Sequence, residues 1–285
     1  MNTTEYFKTY KKNMKTIICN LPAWLKVFLY FVLLTAARFV ADAVPALNDL
    51  SFYMAVSLLI SWLLLWAEGK TLKTLNFIPV CSSNWLQLLC GTVGGILMLI
   101  VTAMITVYLT GDKWHFNSSP DIMFLLMCFL ANLWSVFVQE FAFRGYPFQT
   151  LNSHYGAWKA QLIIAIPFGL MHVNSTMNMQ TILMAMLTTG LGSVLFGMAY
   201  LYTRNLALPI GLHVGWNYAQ ALIPRTAGAA GRTIITVDGD PKHYSSLYII
   251  GPYLGVVLCT MAVLWLLKQR MRISTVPLTS SPQSI

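Results

Sequence analysis

Charge is what this sequence has least of. Of its 285 residues only 9% are Asp, Glu, Lys or Arg, and just 9 are acidic, against roughly 25% charged residues in a soluble domain. Too little charge is present to cover a globule in water, which excludes an ordinary cytosolic enzyme, and the 57% hydrophobic content excludes a disordered chain. Cysteine is sparse and unpatterned. Cys19, Cys81, Cys90, Cys128 and Cys259 are odd in number and never spaced C-x-x-C, so neither a disulfide scaffold nor a thiolate zinc site is expected. They read as small buried hydrophobes. Internal repeats, low-complexity tracts and a separate soluble domain are missing. No small-residue cleavage pattern follows the lysines at 8, 11, 12 and 15, so the first apolar run is expected to stay as a membrane helix. The last ten residues, with Pro277 and Pro282 among Ser and Thr, are expected to be disordered.

What fills the chain instead is apolar residues. Mean hydropathy is +0.64, and long hydrophobic stretches near the bilayer-spanning length recur. About eight transmembrane helices are expected, over about 22–47, 51–67, 84–110, 122–148, 157–176, 179–201, 206–223 and 246–267. In lipid every backbone polar group must be satisfied internally, and alternating barrel strands are missing, so the fold class is all-α, a polytopic integral membrane protein. The organisation is membrane helices over 1–120, a central membrane core over 121–224, and a loop, last helix and short tail over 225–285. The stretch from Arg225 to His243, rich in Gly, Thr and Asp, reads as a mobile loop.

Basic residues orient the bundle. Lys8, Lys11, Lys12, Lys15, Lys26, Lys70, Lys73, Lys159, Arg204, Lys268, Arg270 and Arg272 fall at one end, and Lys113, Arg225, Arg232 and Lys242 at the other. Twelve against four places both termini in the cytoplasm, in the plasma membrane, as in a bacterial inner membrane. The formal charge of +9 is scattered singly, with no stripe that could follow a phosphate backbone, so nucleic acid is not an expected partner and membrane lipids are.

The informative residues are polar groups where lipid would forbid them. Arg38 and Asp42, four apart, read as an architectural pair. Glu140 and Arg144 are also four apart and can neutralise each other inside the bundle, provided the helix continues through Pro147, which would bend it. His172 follows Phe168 by four residues, and Asn217 follows His213 by four, so each pair shares a helix face. A satisfied interhelical histidine and a functional one are both compatible with that spacing. Rise per residue puts Glu140 about 20 Å and His172 about 25 Å from the turn near Ser153–Gly156, and His213 about 12–15 Å from the turn at 203–205, so the three can meet. Small-residue pairs Gly91/Gly95, Gly211/Gly215 and Gly251/Gly255 permit close helix approach.

Taken together, Gln139-Glu140-x-x-x-Arg144, Phe168-x-x-x-His172 and His213-x-x-x-Asn217 make residues from about 121 to 224 resemble the CAAX protease and bacteriocin-processing family of intramembrane peptidases, including type II CAAX prenyl endopeptidases and lysostaphin-resistance-like proteins. The resemblance implies an intramembrane endopeptidase opening toward the cytoplasm, acting on a peptide or membrane-associated protein substrate, prenylated in the eukaryotic branch. It implies catalytic roles for Glu140, His172, His213, Asn217, Gln139 and Arg144, with no cofactor. Water would be held near Glu140 and His172, oriented by Gln139, while His213 and Asn217 stabilise the oxyanion. A zinc site on the two histidines and Glu140 is the other reading of the same residues, although no H-E-x-x-H pair is present. Gln139 departs from the family pattern, since a glutamine cannot accept water's proton where the resembling enzymes carry glutamate. Three readings follow: Glu140 substitutes as base, the chain is a noncatalytic binding, immunity or regulatory protein, or the glutamine was introduced to trap an inactive state.

Overall fold

A computed structural model describes residues 15–227, 234–240 and 244–274, together with Glu5. The expected disordered tail after residue 275 lies outside the described residues, as do Lys8, Lys11, Lys12, Arg232 and Lys242. The helices are α1 (Ala23–Ala43), α2 (Leu50–Ala67), α3 (Ser82–Thr110), α4 (Ile122–Arg144), α5 (Tyr146–Tyr155), α6 (Ala157–Leu170), α7 (Met179–Thr203), α8 (Ala207–Leu222) and α9 (Ser246–Ser274). Their starts follow local chemistry. The side chains of Asp49, Asp121 and Asn178 accept from the backbone N–H of Ser51, Phe124 and Thr181, satisfying donors at the beginnings of α2, α4 and α7.

Among the described residues six helical segments are long and apolar enough to cross a membrane, with α4 and α5 counted together over Ile122–Tyr155. The chain is an integral, mostly helical membrane protein with multiple apolar spans. Two of the eight expected crossings come as shorter helices, α6 with 14 residues and α8 with 16, below the roughly 20 residues a span needs. The expected helix over 122–148 breaks at Gly145, not at Pro147. A Cβ at Gly145 would run into the Phe141 carbonyl, whereas Pro147 sits in the first turn of α5, where a missing N–H costs nothing.

The all-α expectation also missed a small sheet. β1 (Lys113–Phe116) and β2 (Ile235–Asp238) pair antiparallel, with Lys113 opposite Asp238 and Phe116 opposite Ile235. Part of the expected mobile loop is therefore a strand. It is anchored where Tyr244 donates to Asp112 and accepts from the Ala227 N–H. The cysteines correct another expectation: Cys19, Cys81, Cys90 and Cys259 are exposed and Cys128 is half-buried. Arg38 and Asp42 stand 4.0 Å apart with both side chains more than half exposed, a surface pair of little energetic weight.

At the basic end, the 68–81 connection is pinned by several bonds. Glu68 accepts from Lys26 at 3.0 Å, Lys70 at 2.9 Å and Tyr146 at 2.9 Å. Burial alone would raise its carboxyl; the hydrogen bonds from Lys70, Lys26 and Tyr146 outweigh it and hold Glu68 below the usual range. Gln149 donates to the Leu75 carbonyl, and the Asn76 carbonyl accepts from Leu206 at the start of α8.

The core gathers aromatic and aliphatic side chains of α4 to α8, including Phe143, Phe148, Leu151, Phe168, Leu195, Phe196 and Leu212. Its tightest seam is glycine on glycine. A Cβ on Gly91 would lie 3.0 Å from the Gly211 Cα, and one on Gly95 would lie 3.0 Å from the Gly215 Cα. Without side chains there, α3 and α8 meet backbone to backbone, and dispersion replaces the hydrophobic drive that lipid does not supply. The third expected pair plays no such part, because Gly255 has nothing within 4 Å of where its Cβ would be. Gly215→Val is expected to lower unfolding stability in detergent by about 1–3 kcal/mol through overpacking, while Gly255→Val leaves it unchanged. Equal midpoints for the two variants would contradict the seam.

Candidate active site

Depth along the bundle brings the scarce polar groups together. Glu140 lies six residues before Tyr146, whose hydroxyl meets Glu68 at the basic end, and His213 lies six residues into α8. Each is therefore about 9 Å in from that end. α5 carries the chain about 15 Å further and α6 returns over about 21 Å, which restores His172 to the same level. Glu140 and His213 meet, whereas His172 lies across the Phe168 ring from His213 and makes no direct contact with Glu140 among the described residues.

Glu140 and Arg144 are both fully buried and bonded, Arg144 Nη1 to Glu140 Oε1 at 3.2 Å. The same Oε1 lies 2.8 Å from His213 Nδ1. Arg144 Nη2 donates to the Ser193 carbonyl at 2.9 Å and to its Oγ at 2.8 Å. The guanidinium carbon stands 4.4 Å over the Phe168 ring, a cation–π contact strengthened by exclusion of water. Arg144 Nε and Glu140 Oε2 have no hydrogen-bond partner. A carboxylate and a cation that would each be prohibitive alone are thus neutralised by one another, by Ser193 and by an imidazole.

The histidines have their tautomers set by their partners. His172 Nδ1 lies 2.8 Å from the Phe168 carbonyl, which can only accept, so Nδ1 carries a proton. His213 Nδ1 donates to Glu140 in the same way. The His213 ring stacks on Phe196 at 4.4 Å and 16° and lies 6.0 Å from Phe168. Phe168 in turn lies 5.1 Å from His172, so one phenyl ring separates and aligns the two imidazoles.

Both histidines, Phe168 and Asn217 line a cavity of about 700 Å³, a volume typical of ligand sites. Its walls come from α3, α4, α6, α7, α8 and α9 and, among the described residues, hold no carboxylate. Glu140, Arg144 and Gln139 stand outside that wall. Gln139 donates from Nε2 to Ser135 Oγ at 3.0 Å, and its buried carbonyl oxygen has no partner. Asn217 makes no hydrogen bond among the described residues. Among them, too, no three His, Cys, Asp or Glu side chains gather in a metal-holding group.

Ser193, Phe196 and Asn132 also belong to the site and were missed in the sequence. Ser193 sits in the run Gly190–Gly197, whose small residues, like those of the α3/α8 seam, marked a close approach that could have pointed to it. Phe196 and Asn132 carried no distinguishing signal in a chain with 15 Phe.

The cavity extends from the histidines toward the end where α8 finishes and α7 and α9 begin, reaching Arg225, Thr181 and Ile249. That is the end opposite Lys70, Lys73, Lys159 and Arg204. The lining therefore runs toward the end opposite the one at which the termini were expected.

A helical membrane protein with a buried carboxylate–arginine pair feeding an imidazole at a cavity wall is the class these features define. Residues 121–219 match the family described as "Type II CAAX prenyl endopeptidase Rce1-like". Among curated proteins none matches the chain.

Removing Arg144 strands a buried carboxylate. Arg144→Ala is expected to cost about 3–5 kcal/mol in unfolding stability, and the double change Glu140→Gln with Arg144→Met to cost less than that single change. A double change costing the sum of both single changes would show that the two groups are not a coupled pair.

Proposed function

We propose that the protein is an intramembrane endopeptidase in which a His213–Glu140 unit activates water against a peptide bond held in the cavity. The observation that carries this reading is the 2.8 Å contact between His213 Nδ1 and Glu140 Oε1, with His172 on the same cavity wall. Because no carboxylate lines that wall, the base that meets water is the His213 Nε2 lone pair. Glu140 orients the ring and stabilises the imidazolium that forms when Nε2 takes the proton. The resulting hydroxide adds to the scissile carbonyl carbon. The Asn217 amide donates to the developing oxyanion, and His172 Nε2 accepts a second hydrogen bond from the water and fixes its direction. Collapse of the tetrahedral species breaks the C–N bond, and the proton on His213 passes to the leaving amine. Arg144 pairs with Glu140 and holds it in place, and Gln139 supports α4 through Ser135 rather than touching water. The natural substrate is a peptide or the peptide segment of a membrane-associated protein.

One observation favours a second reading, a noncatalytic binding, immunity or regulatory protein that keeps the pocket. The position that carries glutamate in the resembling enzymes is Gln139, whose amide cannot accept a proton.

Native protein in lipid nanodiscs is expected to cleave members of a quenched-fluorescent peptide library. Glu140→Gln, His213→Ala and His172→Ala should each lower kcat by about 100-fold or more with folding intact. Cleavage indifferent to all three changes would remove this site from the reaction. A native protein that binds peptide without cleaving it, yet gains hydrolysis in Gln139→Glu, would select the second reading.

We also propose that the basic end is cytoplasmic, in the plasma membrane of a bacterial cell, with the cavity facing away from the cytoplasm. In a chain whose own cysteines are replaced, an impermeant maleimide on intact cells should label Ser119→Cys and leave Lys73→Cys unlabelled until the membrane is opened. The reverse pattern would invert the orientation and turn the cavity to the cytoplasm.

A further inference from the structure

One amide in the cavity wall has no part in the chemistry above. Asn132 is the only residue that α4 contributes to the lining. It stands half-buried in the stretch 122–138, where Ser135 is the only other amide or hydroxyl side chain. In a membrane helix an asparagine ordinarily bonds across to a neighbouring helix and glues the two together. Asn132 does not. Its Nδ2 donates to the Cys128 carbonyl one turn back at 2.8 Å and lies 3.5 Å from the Cys128 Sγ. That carbonyl can only accept, so the two ends of the amide are assigned: NH2 onto its own helix, oxygen away from it. Among the described residues nothing donates to Asn132 Oδ1, an acceptor with two lone pairs at the cavity wall.

Two contacts between α4 and α8 place this acceptor beside Asn217. Glu140 meets His213 at one end of the shared stretch, and the Phe129 and Tyr218 rings meet at 5.3 Å at the other, so the helices run antiparallel. Asn132 lies between those contacts on α4, Asn217 lies between them on α8, and both line the same cavity. The first offers an acceptor and the second a donor. An extended peptide presents the N–H and C=O of one residue to the same side, and a neighbouring antiparallel strand answers them with one acceptor and one donor. Helix backbones have spent those groups internally. Two carboxamides on adjacent helices supply them instead.

Resting on the peptidase reading above, we propose that Asn132 Oδ1 accepts the backbone N–H of the substrate residue whose carbonyl is attacked, while Asn217 donates to that carbonyl. Asn132 thereby sets the direction of the bound chain, because a reversed peptide would turn its carbonyl toward an acceptor and its N–H toward a donor. It also excludes proline, which has no N–H, from the position just before the cut bond. The contact is made before the attack and kept during it, so it acts on binding rather than on the rate of the bound complex.

The test uses full-length protein in nanodiscs of neutral lipid and a fluorescent peptide selected from a library by cleavage or, without cleavage, by binding. Analogues of that peptide replace each backbone N–H in turn by the oxygen of an ester, which removes one donor with little change of shape. With native protein one analogue is expected to stand out: the ester at the residue before the cut bond should raise KM and Kd about five- to tenfold, the order of one hydrogen bond, with kcat unchanged. Asn132→Ala should impose the same loss on the all-amide peptide and leave that ester analogue at its native value, which also reports an intact fold. A sensitivity that survives in Asn132→Ala, or that falls at another residue, would overturn the assignment even if cleavage persists. Equal loss of amide and ester peptides in the variant, or a native protein that takes no peptide, would overturn it as well. A single sensitive position that vanishes in Asn132→Ala, with binding but no cleavage, would uphold the Asn132 contact and remove the peptidase reading instead.

Discussion

Two opposite charges held out of water govern this bundle. Neither Glu140 nor Arg144 could stand alone at that depth, so each helix around them is constrained to supply what the pair still needs. α7 brings Ser193, whose carbonyl and hydroxyl both accept from Arg144; α6 brings the Phe168 ring beneath the guanidinium; α8 brings His213 to the carboxylate. The break at Gly145 completes the arrangement by ending α4 just past Arg144 and letting α5 turn toward Glu68.

Placement of His213 depends on a second constraint, the bare backbone contact between α3 and α8. Four glycines let the two helices approach until Cα atoms and peptide groups touch. That rigid pairing fixes the rotation of α8, so one of its faces carries His213 toward Glu140 and, through Asn217 and Gln220, lines the cavity. Packing and chemistry are in this sense one feature, because the residues absent from the seam decide where the residues in the site point.

Much of this was legible in the sequence because lipid makes polar residues conspicuous. Glu140, Arg144, His172 and His213 stood out as expensive groups in apolar runs, and their spacing and depth placed them at one level, although His172 stands apart from the other three behind Phe168. The glycine pairs on α3 and α8 were equally readable, whereas Gly251 and Gly255 had the same spacing and no partner. Spacing alone does not say which helix faces which. The division of roles was not legible either: a carboxylate expected to face water is sealed behind an imidazole, and this depends on the rotation of α4 against α8. The β1–β2 pair was missed because four-residue strands separated by more than a hundred positions carry no periodic signal of their own. Two helices shorter than a typical span were read as crossings because apolar neighbours, Met171 and Val173 after α6 and Leu206 and Ile223 beside α8, extend the pattern by a few positions.

The wall between the charge pair and the cavity has an electrical consequence. Dissolved ions screen charges they can approach within a Debye length through water, and they do so poorly across a dry protein layer. Glu140 and Arg144 lie entirely behind His213 and Phe168, so their mutual attraction is indifferent to the salt of the surrounding medium. Arg225, half-buried at the far end, is within reach of it. Changes of ionic strength therefore reach the exposed charges at the two ends of the bundle, and the field that the buried pair exerts on the imidazole stays constant in dilute and concentrated surroundings alike.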